Sequence, residues 1–245
     1  MINWLKSTKR AIVSLQRNNF LTKRYLGTLV SVELNTKIAA LTFDDGPHAV
    51  WTPRLLDLLH SFNAKATFFM IGKYVEEHRN IVKRAFDENH AIANHSWDHP
   101  CFPLVSRYQR IKQIRRCARM IKEYDCGLYR PPYGHQNLAS RFDALLCGYD
   151  TVCWNLGGSD WKDIQAEDIA EELNNGLHPG SIILLHDAVS KQRHKSREHM
   201  LAGLHSFLTA NNDYRFVTLP ELLKLGNRKE IVWVRKPHIK VSYHS

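Results

Sequence analysis

The run Ile38-Ala39-Ala40-Leu41-Thr42-Phe43, followed directly by Asp44-Asp45-Gly46-Pro47, decides the fold, because an apolar stretch ends abruptly in a polar turn. A run of this length and character predicts a buried strand, and the turn residues predict its end. Downstream, strand-like and helix-like segments alternate with short connections. This alternation predicts a parallel sheet or barrel, in which functional groups collect at the carboxyl ends of the strands.

The segments after this strand follow the same rule. Thr52-Pro53 predicts a helix N-cap and first helical residue, with the helix running to about Phe62. Further strands are predicted at 66–71, 91–93, 127–129, 151–154, 181–185 and 214–218. Further helices are predicted at 74–88, 105–123, 137–147, 166–176, 197–210 and 220–225.

Composition bounds the class of protein. The chain has 245 residues, of which 44% are hydrophobic and 24% charged, so it can bury a sizeable core. It contains no run of about 18 apolar residues, which a membrane-spanning helix needs. The five cysteines include no C-x-x-C pair, and the N-terminus lacks a long apolar signal segment. The sequence therefore predicts a cytoplasmic protein without a disulfide framework.

The net charge of +10 is confined to the two ends, because residues 31–225 hold 23 basic and 23 acidic side chains. We expect a basic extension over 1–36, a single domain over 37–225 and a basic tail over 226–245. Residues 3–17 predict a basic amphipathic helix, which either lies on an anionic membrane or packs on the domain. The final segment, 231–245, either adds a strand or hangs free.

Five polar clusters stand where predicted strands end, so we expect them to converge. They are Asp44-Asp45, His95-x-x-x-His99, Arg130-Pro131-Pro132-Tyr133, Asp160-Trp161 and His186-Asp187. Two histidines and one aspartate form a ligand set that leaves coordination positions open, as in a catalytic metal site. Of the two adjacent aspartates, one can bind the ion while the other accepts a proton from the attacking water.

These clusters resemble the motifs of the polysaccharide deacetylases, the NodB-homology group or carbohydrate esterase family 4. The matching stretches are Thr42-Phe43-Asp44-Asp45-Gly46-Pro47, His95-Ser96-Trp97-Asp98-His99, Arg130-Pro131-Pro132-Tyr133-Gly134 and Leu184-Leu185-His186-Asp187. The resemblance extends from about residue 37 to 225. It implies a distorted (β/α) barrel with fewer than eight regular repeats.

The resemblance also implies a role for each matching residue. Asp44 resembles the catalytic base, and His186 the general acid that protonates the leaving amine. Asp45, His95 and His99 resemble the ligands of one divalent ion, zinc or alternatively Co²⁺, Ni²⁺ or Mn²⁺. Arg130 resembles the residue that orients Asp44 and keeps it ionised. Tyr133 resembles the residue whose backbone N–H stabilises the oxyanion.

Substrate contacts are implied at four positions. Leu184 resembles the residue lining the acetyl-methyl pocket, and Pro132 and Tyr133 belong to the substrate-facing turn. Trp161 either forms a sugar-facing wall or is a core tryptophan. Asp160 is expected to pair with Arg130. One departure is Gly157, where the family commonly has an aspartate, and we expect it to alter substrate contact.

The implied activity is the removal of N-acetyl groups from N-acetylhexosamine units of an oligo-, poly- or lipid-linked saccharide. A sugar-binding protein without turnover is a second interpretation. A nucleic-acid-binding module, suggested by the acid-free helix 105–123, is a third, and nucleic acid is not the expected partner. The basic loop 190–199 either borders the site, where it attracts anionic substrate groups, or is simply solvated. The sequence leaves the oligomeric state open.

Overall fold

A computed structural model describes residues 27–235, and the predicted helix over 3–17 lies outside them. The strands are β1 (Thr28–Glu33), β2 (Ile38–Asp44), β3 (Ala66–Met70), β4 (Ala91–Asn94), β5 (Asp125–Tyr129), β6 (Asp150–Thr151), β7 (Leu156–Gly157), β8 (Ile182–His186), β9 (Arg215–Val217) and β10 (Asn227–Ile231). The helices are α1 (Trp51–Ser61), α2 (Gly72–Glu77), α3 (Arg79–Asp87), α4 (Arg107–Ile121), α5 (Leu138–Leu146), α6 (Ala166–Gly176), α7 (Glu198–Ala210) and α8 (Leu219–Leu225). The α/β class is confirmed.

The parallel sheet has the order β6-β5-β4-β3-β2-β8-β7, and β9 pairs with the start of β2. The edge strands β6 and β7 are separated by only four residues of chain, from Val152 to Asn155. Two edges joined by so short a link must approach each other, so the sheet curls into an incomplete barrel. This confirms the predicted distorted barrel.

Two local predictions were wrong. The predicted helix 74–88 is two helices, α2 and α3, because the backbone leaves helical geometry at His78 (φ −131°, ψ 47°). Thr52 is not the N-cap of α1, because the helix begins at Trp51 and its N-cap is Val50. The Thr52 hydroxyl instead donates a hydrogen bond to the buried carboxylate of Asp187 and accepts one from the backbone N–H of His48 at 2.7 Å.

Alternation along β2 and β8 decides which residues reach the barrel interior. Ala39, Leu41 and Phe43 face the core between sheet and helices, whereas Ala40 belongs to the interior cluster. Because successive side chains in a strand alternate between faces, Asp44 follows Ala40 onto the interior face. Ile182 is likewise interior, and His186 lies four residues later on the same face. Both functional side chains therefore stand at the carboxyl-terminal mouth of the barrel.

The described parts of the predicted extension and tail are built into the domain. β1 pairs antiparallel with β10, and its Leu29 and Val32 are buried in the interior cluster. Leu29 also bridges to Val152 and Ser31 to Ser181, so β1 lies across the gap between the two sides of the barrel. The charged sequence of β10 hid this pairing, because its side chains are largely exposed. Among the described residues, no helix is long and apolar enough to span a bilayer.

Replacing Gly180 with alanine tests whether β1 docks on the barrel. Gly180 has φ +80°, and a Cβ there would overlap the carbonyl oxygen of Val32 in β1. Positive φ alone costs about 1–2 kcal/mol, and the overlap adds to it, so we expect the free energy of unfolding to fall by more than about 2 kcal/mol. Urea denaturation measures this loss.

Gly148→Ala is the matched control, because Gly148 has φ +88° and a Cβ there meets no atom within 4 Å. In Gly148→Ala, the free energy of unfolding should fall only by the cost of placing alanine at positive φ. Equal losses in the two variants would contradict the docking of β1.

Candidate functional site

A cavity of about 420 Å³ opens at the carboxyl ends of the parallel strands. Asp44 and His186 are register partners on β2 and β8, which places their side chains beside each other. The cavity is lined by Asp44, Asp45, His95, His99, Tyr133, Gly134, His135, Trp154, Trp161, Leu184, His186, Val189, Ser190, Lys191, Gln192 and Arg235. The predicted convergence of polar clusters is thus present in the structure.

Asp45, His95 and His99 offer three ligand atoms that lie within 4.8 Å of one another. Asp45 Oδ1 is 3.1 Å from His99 Nε2 and 3.5 Å from His95 Nε2. Asp45 and His99 both have positive φ, 75° and 64°, which turns the chain sharply at each ligand. His95 follows β4 directly, so the two histidines sit in a loop at the strand end rather than on one helical face.

The second nitrogen of each histidine is engaged elsewhere, which aims Nε2 at the site. His95 Nδ1 donates to the carbonyl of Arg130 at 2.8 Å, and His99 Nδ1 contacts the Ser190 hydroxyl at 3.1 Å. The backbone N–H of Ser190 donates to Asp45 Oδ2 at 2.9 Å. Such outer contacts fix ring orientation in metal sites.

The donor set fits a divalent cation. Asp45 Oδ1 is buried and has no hydrogen-bond donor among the described residues. Burial is also the main reason that the pKa of His99 falls to about 3, which keeps its imidazole neutral, the form that binds metal. An unpaired buried carboxylate oxygen facing two imidazole nitrogens is best satisfied by a metal ion.

Asp44 is held separately by Arg130. The guanidinium donates from Nη1 to Asp44 Oδ1 and to the Thr42 hydroxyl, each at 2.8 Å. Its Nη2 donates to the Cys153 carbonyl at 3.0 Å. It lies 4.1 Å over the ring of Phe69 and is fully buried. Arg130 therefore orients the Asp44 carboxylate and balances its charge, as the resemblance implied.

Asp160 does not pair with Arg130, so that prediction was wrong. Its Oδ1 lies 3.0 Å from His186 Nδ1, and its Oδ2 accepts from the His186 N–H at 2.9 Å and from the Arg197 guanidinium. Arg197 also donates to the carbonyls of Asp160 and His186. The Arg130 guanidinium is already engaged by Asp44, Thr42 and the Cys153 carbonyl, whereas Arg197 reaches Asp160 from the loop after His186, which explains the difference.

This pairing tunes His186. Burial lowers the pKa of His186, but the charge and hydrogen bond of Asp160 outweigh burial and raise it to about 9. The imidazole is therefore protonated at neutral pH, as a general acid must be at the start of its step.

The remaining predicted residues form the walls. Tyr133, Trp161 and Leu184 line the cavity, and Tyr133 has φ +59° in the turn after Arg130. Trp161 is 42% exposed and packs edge-on against His186, so it is a wall residue rather than a core tryptophan. Pro132 is buried in the same turn and does not line the cavity, so its contribution is to shape that turn.

Sequence reasoning missed several contributors. Ser190 and Arg197 lie in the basic loop after His186, and the sequence analysis had noted only the overall charge of that loop. Trp233, from the predicted tail, donates from its indole to the Gly134 carbonyl at 2.8 Å and packs on Trp154. Gly157 pairs with Leu184, and a Cβ there would make only ordinary contacts, so this position has room for a side chain.

The family model described as polysaccharide deacetylase matches residues 31–152. A solved structure of the Bc1960 peptidoglycan N-acetylglucosamine deacetylase is 31% identical, with a TM-score of 0.74, and the match covers 82% of this chain and 94% of that one. The chain belongs to the polysaccharide deacetylase family.

Other members of the family differ in length and activity. The peptidoglycan-N-acetylglucosamine deacetylase PgdA of Listeria monocytogenes is 35% identical over 82% of this chain, which spans only 43% of that protein. The wild-type BA3943 of Bacillus anthracis, described as a CE4 family pseudoenzyme, is 25% identical with a TM-score of 0.68, covering 79% of this chain and 68% of that one. Family membership is therefore compatible with loss of activity.

Asp45→Ala tests the ligand assignment. Loss of an outer contact in a metal site weakens affinity about 10–100-fold, so removal of a ligand should weaken zinc binding by more than about 100-fold. Competition with a chromophoric chelator measures the affinity. Asp98→Ala, in the same segment as the histidines but exposed, is the control and should bind zinc as the wild type does. Undiminished binding by Asp45→Ala would refute the assignment.

Asp160→Asn tests the tuning of His186 in metal-free protein. In the variant, burial still lowers the pKa of His186, while the charge and hydrogen bond of Asp160 are gone and only the more weakly acting Asp45 and Asp44 still raise it, so the pKa should fall clearly from about 9. NMR titration of the imidazole measures this shift. Because the folded-state pKa is raised, the stabilisation from this pair is fully present below pH 6.5 and is lost as pH rises through about 9. A His186 pKa unchanged by the substitution would disprove the coupling.

Proposed function

We propose that this protein is a metal-dependent hydrolase that removes N-acetyl groups from N-acetylhexosamine units of a saccharide. One observation carries the proposal: Asp44, the Asp45–His95–His99 set and His186 line the same cavity. A proton acceptor, a cation site and a protonated imidazole are the three groups that amide hydrolysis by activated water requires. Relatives named as deacetylases of peptidoglycan and of chitooligosaccharides support the saccharide class.

Asp44 acts as the base. Its carboxylate is held by Arg130 at 2.8 Å, so it is oriented and ionised when water attacks the amide carbon. A divalent ion, which we propose to be zinc, held by Asp45, His95 and His99, would polarise the acyl carbonyl and increase the acidity of the attacking water. The separate partners of Asp44 and Asp45 allow one carboxylate to take the proton while the other stays with the cation.

His186 acts as the acid. It begins protonated because of Asp160, and it delivers a proton to the amine nitrogen as the C–N bond breaks. Tyr133 contributes its backbone N–H to the developing oxyanion, and Leu184 borders the acetyl methyl group. The aromatic faces of Trp154 and Trp161 suit the C–H faces of a pyranose ring.

The alternatives are a sugar-binding protein and a nucleic-acid-binding module. A sugar-binding protein without turnover is favoured by the existence of a pseudoenzyme among the structural neighbours. A nucleic-acid module is opposed by α4, where Arg107 and Arg110 pair with Asp143 and Arg116 stacks over Trp97 at 3.5 Å. These three arginines are therefore engaged by Asp143 and Trp97 rather than free to bind phosphate.

The proposal extends to where in the cell the protein acts. We propose that the enzyme works in the cytoplasm and that its basic ends touch an anionic membrane. The residues that would make this contact, 1–26 and 236–245, lie outside the described chain.

Asp44→Asn separates catalysis from binding. The variant keeps the cation ligands but cannot accept a proton, so acetate release should fall by about 10²–10⁴-fold while zinc binding is retained. Acetate release from N-acetylglucosamine oligomers, with chelator and after zinc addition, measures the activity.

Chelator-sensitive release by the wild type, lost in Asp44→Asn, is the expected result. Wild-type protein that binds zinc and saccharide but releases no acetate from any N-acetylated saccharide would instead favour the sugar-binding function.

A further inference from the structure

The basic loop after His186 contains four basic side chains, and the structure separates them by their partners. Arg193 donates to the carbonyls of Asp45 and Pro47 and stacks over Tyr74 at 3.7 Å. Lys195 pairs with Asp163, and Arg197 with Asp160. Three of the four therefore support the loop and the catalytic residues.

Lys191 is different, because it has no carboxylate partner among the described residues and it lines the cavity. Its ammonium lies 5.3 Å from the ring centre of Tyr133, in the turn after Arg130. The preceding residue, Ser190, is fixed by contacts to both Asp45 and His99. Lys191 is thus held at a set distance from the metal ligands while its charge stays available.

A second unpaired cation flanks the same turn. The backbone of Arg235 exchanges two hydrogen bonds with Gln136, at 3.0 and 3.2 Å, and its side chain also lines the cavity. No carboxylate pairs with Arg235 among residues 27–235. Gln136 is itself anchored, since its side-chain amide donates to Thr28 and to the Trp233 carbonyl. The two cations therefore lie on one side of the cavity, around residues 133–136.

The charge of the cavity reinforces this arrangement. Among residues 27–235, the carboxylates that line it are Asp44 and Asp45, of which the first is neutralised by Arg130 and the second fits a cation. Lys191 and Arg235 then leave the mouth positively charged. A neutral sugar offers these cations only uncharged oxygen acceptors, whereas an acidic group on the sugar would form stronger, charge-assisted hydrogen bonds with them.

We propose that Lys191 and Arg235 form an anion subsite that selects N-acetylhexosamines carrying an acidic substituent, a carboxylate or a phosphate, over neutral oligomers. The subsite rests on the proposed function, because its ligand is part of the saccharide bound in the cavity. It acts on substrate recognition and leaves the proton transfers of Asp44 and His186 unchanged.

The experiment compares kcat/KM for three substrates: a neutral N-acetylglucosamine oligomer, N-acetylglucosamine 1-phosphate and a disaccharide containing N-acetylmuramic acid. The zinc-loaded wild type should prefer at least one acidic substrate, and the preferred one identifies phosphate or carboxylate. Lys191→Met and Arg235→Met should each reduce that preference by about tenfold, mainly through KM, with little change on the neutral oligomer. Raising the salt concentration should reduce the wild-type preference as well.

Lys112→Met is the matched control, because Lys112 is an exposed lysine on α4 that does not line the cavity, and the net charge changes equally. Its substrate preference should equal that of the wild type. Equal losses on neutral and acidic substrates in Lys191→Met would overturn the subsite and indicate a role at the oxyanion instead. Equal kcat/KM values of the wild type for the neutral oligomer and for the acidic substrates would also overturn the subsite, while leaving the proposed function intact.

A binding measurement covers the case in which the wild type releases no acetate. Calorimetric titration of the Asp44→Asn protein with the same saccharides then measures the affinity for each and decides whether the subsite exists. Tighter binding of an acidic saccharide, lost on Lys191→Met, supports the subsite even though the hydrolase proposal has failed. Equal binding of neutral and acidic saccharides overturns it.

Discussion

Two adjacent carboxylates, Asp44 and Asp45, are buried at the end of a central strand, and the rest of the site is arranged to compensate them. Each is about 5% exposed or less, so desolvation and mutual repulsion both oppose their ionisation. Arg130 balances Asp44 from inside the barrel, and the two histidines face Asp45 at the mouth, where a cation would balance it. This division of partners underlies our proposal that one carboxylate is the base and the other a metal ligand.

The loop after β8 connects these halves. Ser190 contacts Asp45 and His99, Arg193 holds the carbonyls of the Asp45–Pro47 turn, and Arg197 fixes the Asp160–His186 pair. One stretch of chain thus contacts both the proposed metal ligands and the proposed general acid. Buried charges linked in this way depend on one another, because removal of one member leaves its charged partners unpaired.

The chain ends complete the barrel. β1 lies across the gap in the sheet, and β10 brings the following residues, Trp233 and Arg235, against the turn that contains Tyr133. Residues that look like a basic tail in the sequence therefore supply one wall of the cavity. This wall carries the charge that we connect with substrate choice.

The sequence by itself predicted the parallel α/β class and the convergence of Asp44, Asp45, His95, His99 and His186 on one cavity, because apolar runs and the polar residues that follow them can be read locally. It ended the strand predicted at 151–154 three residues too late. It misassigned the partner of Asp160, the start of α1 and the continuity of residues 74–88. It also missed Ser190, Arg197 and Trp233 as site residues. Only the tertiary structure decided these, because which charge meets which carboxylate depends on loops and strands from distant parts of the chain. A basic residue in a sequence has the same appearance whether it is solvated, paired with Asp160 or free at a cavity mouth, and only its surroundings in the fold separate Arg197 from Lys191.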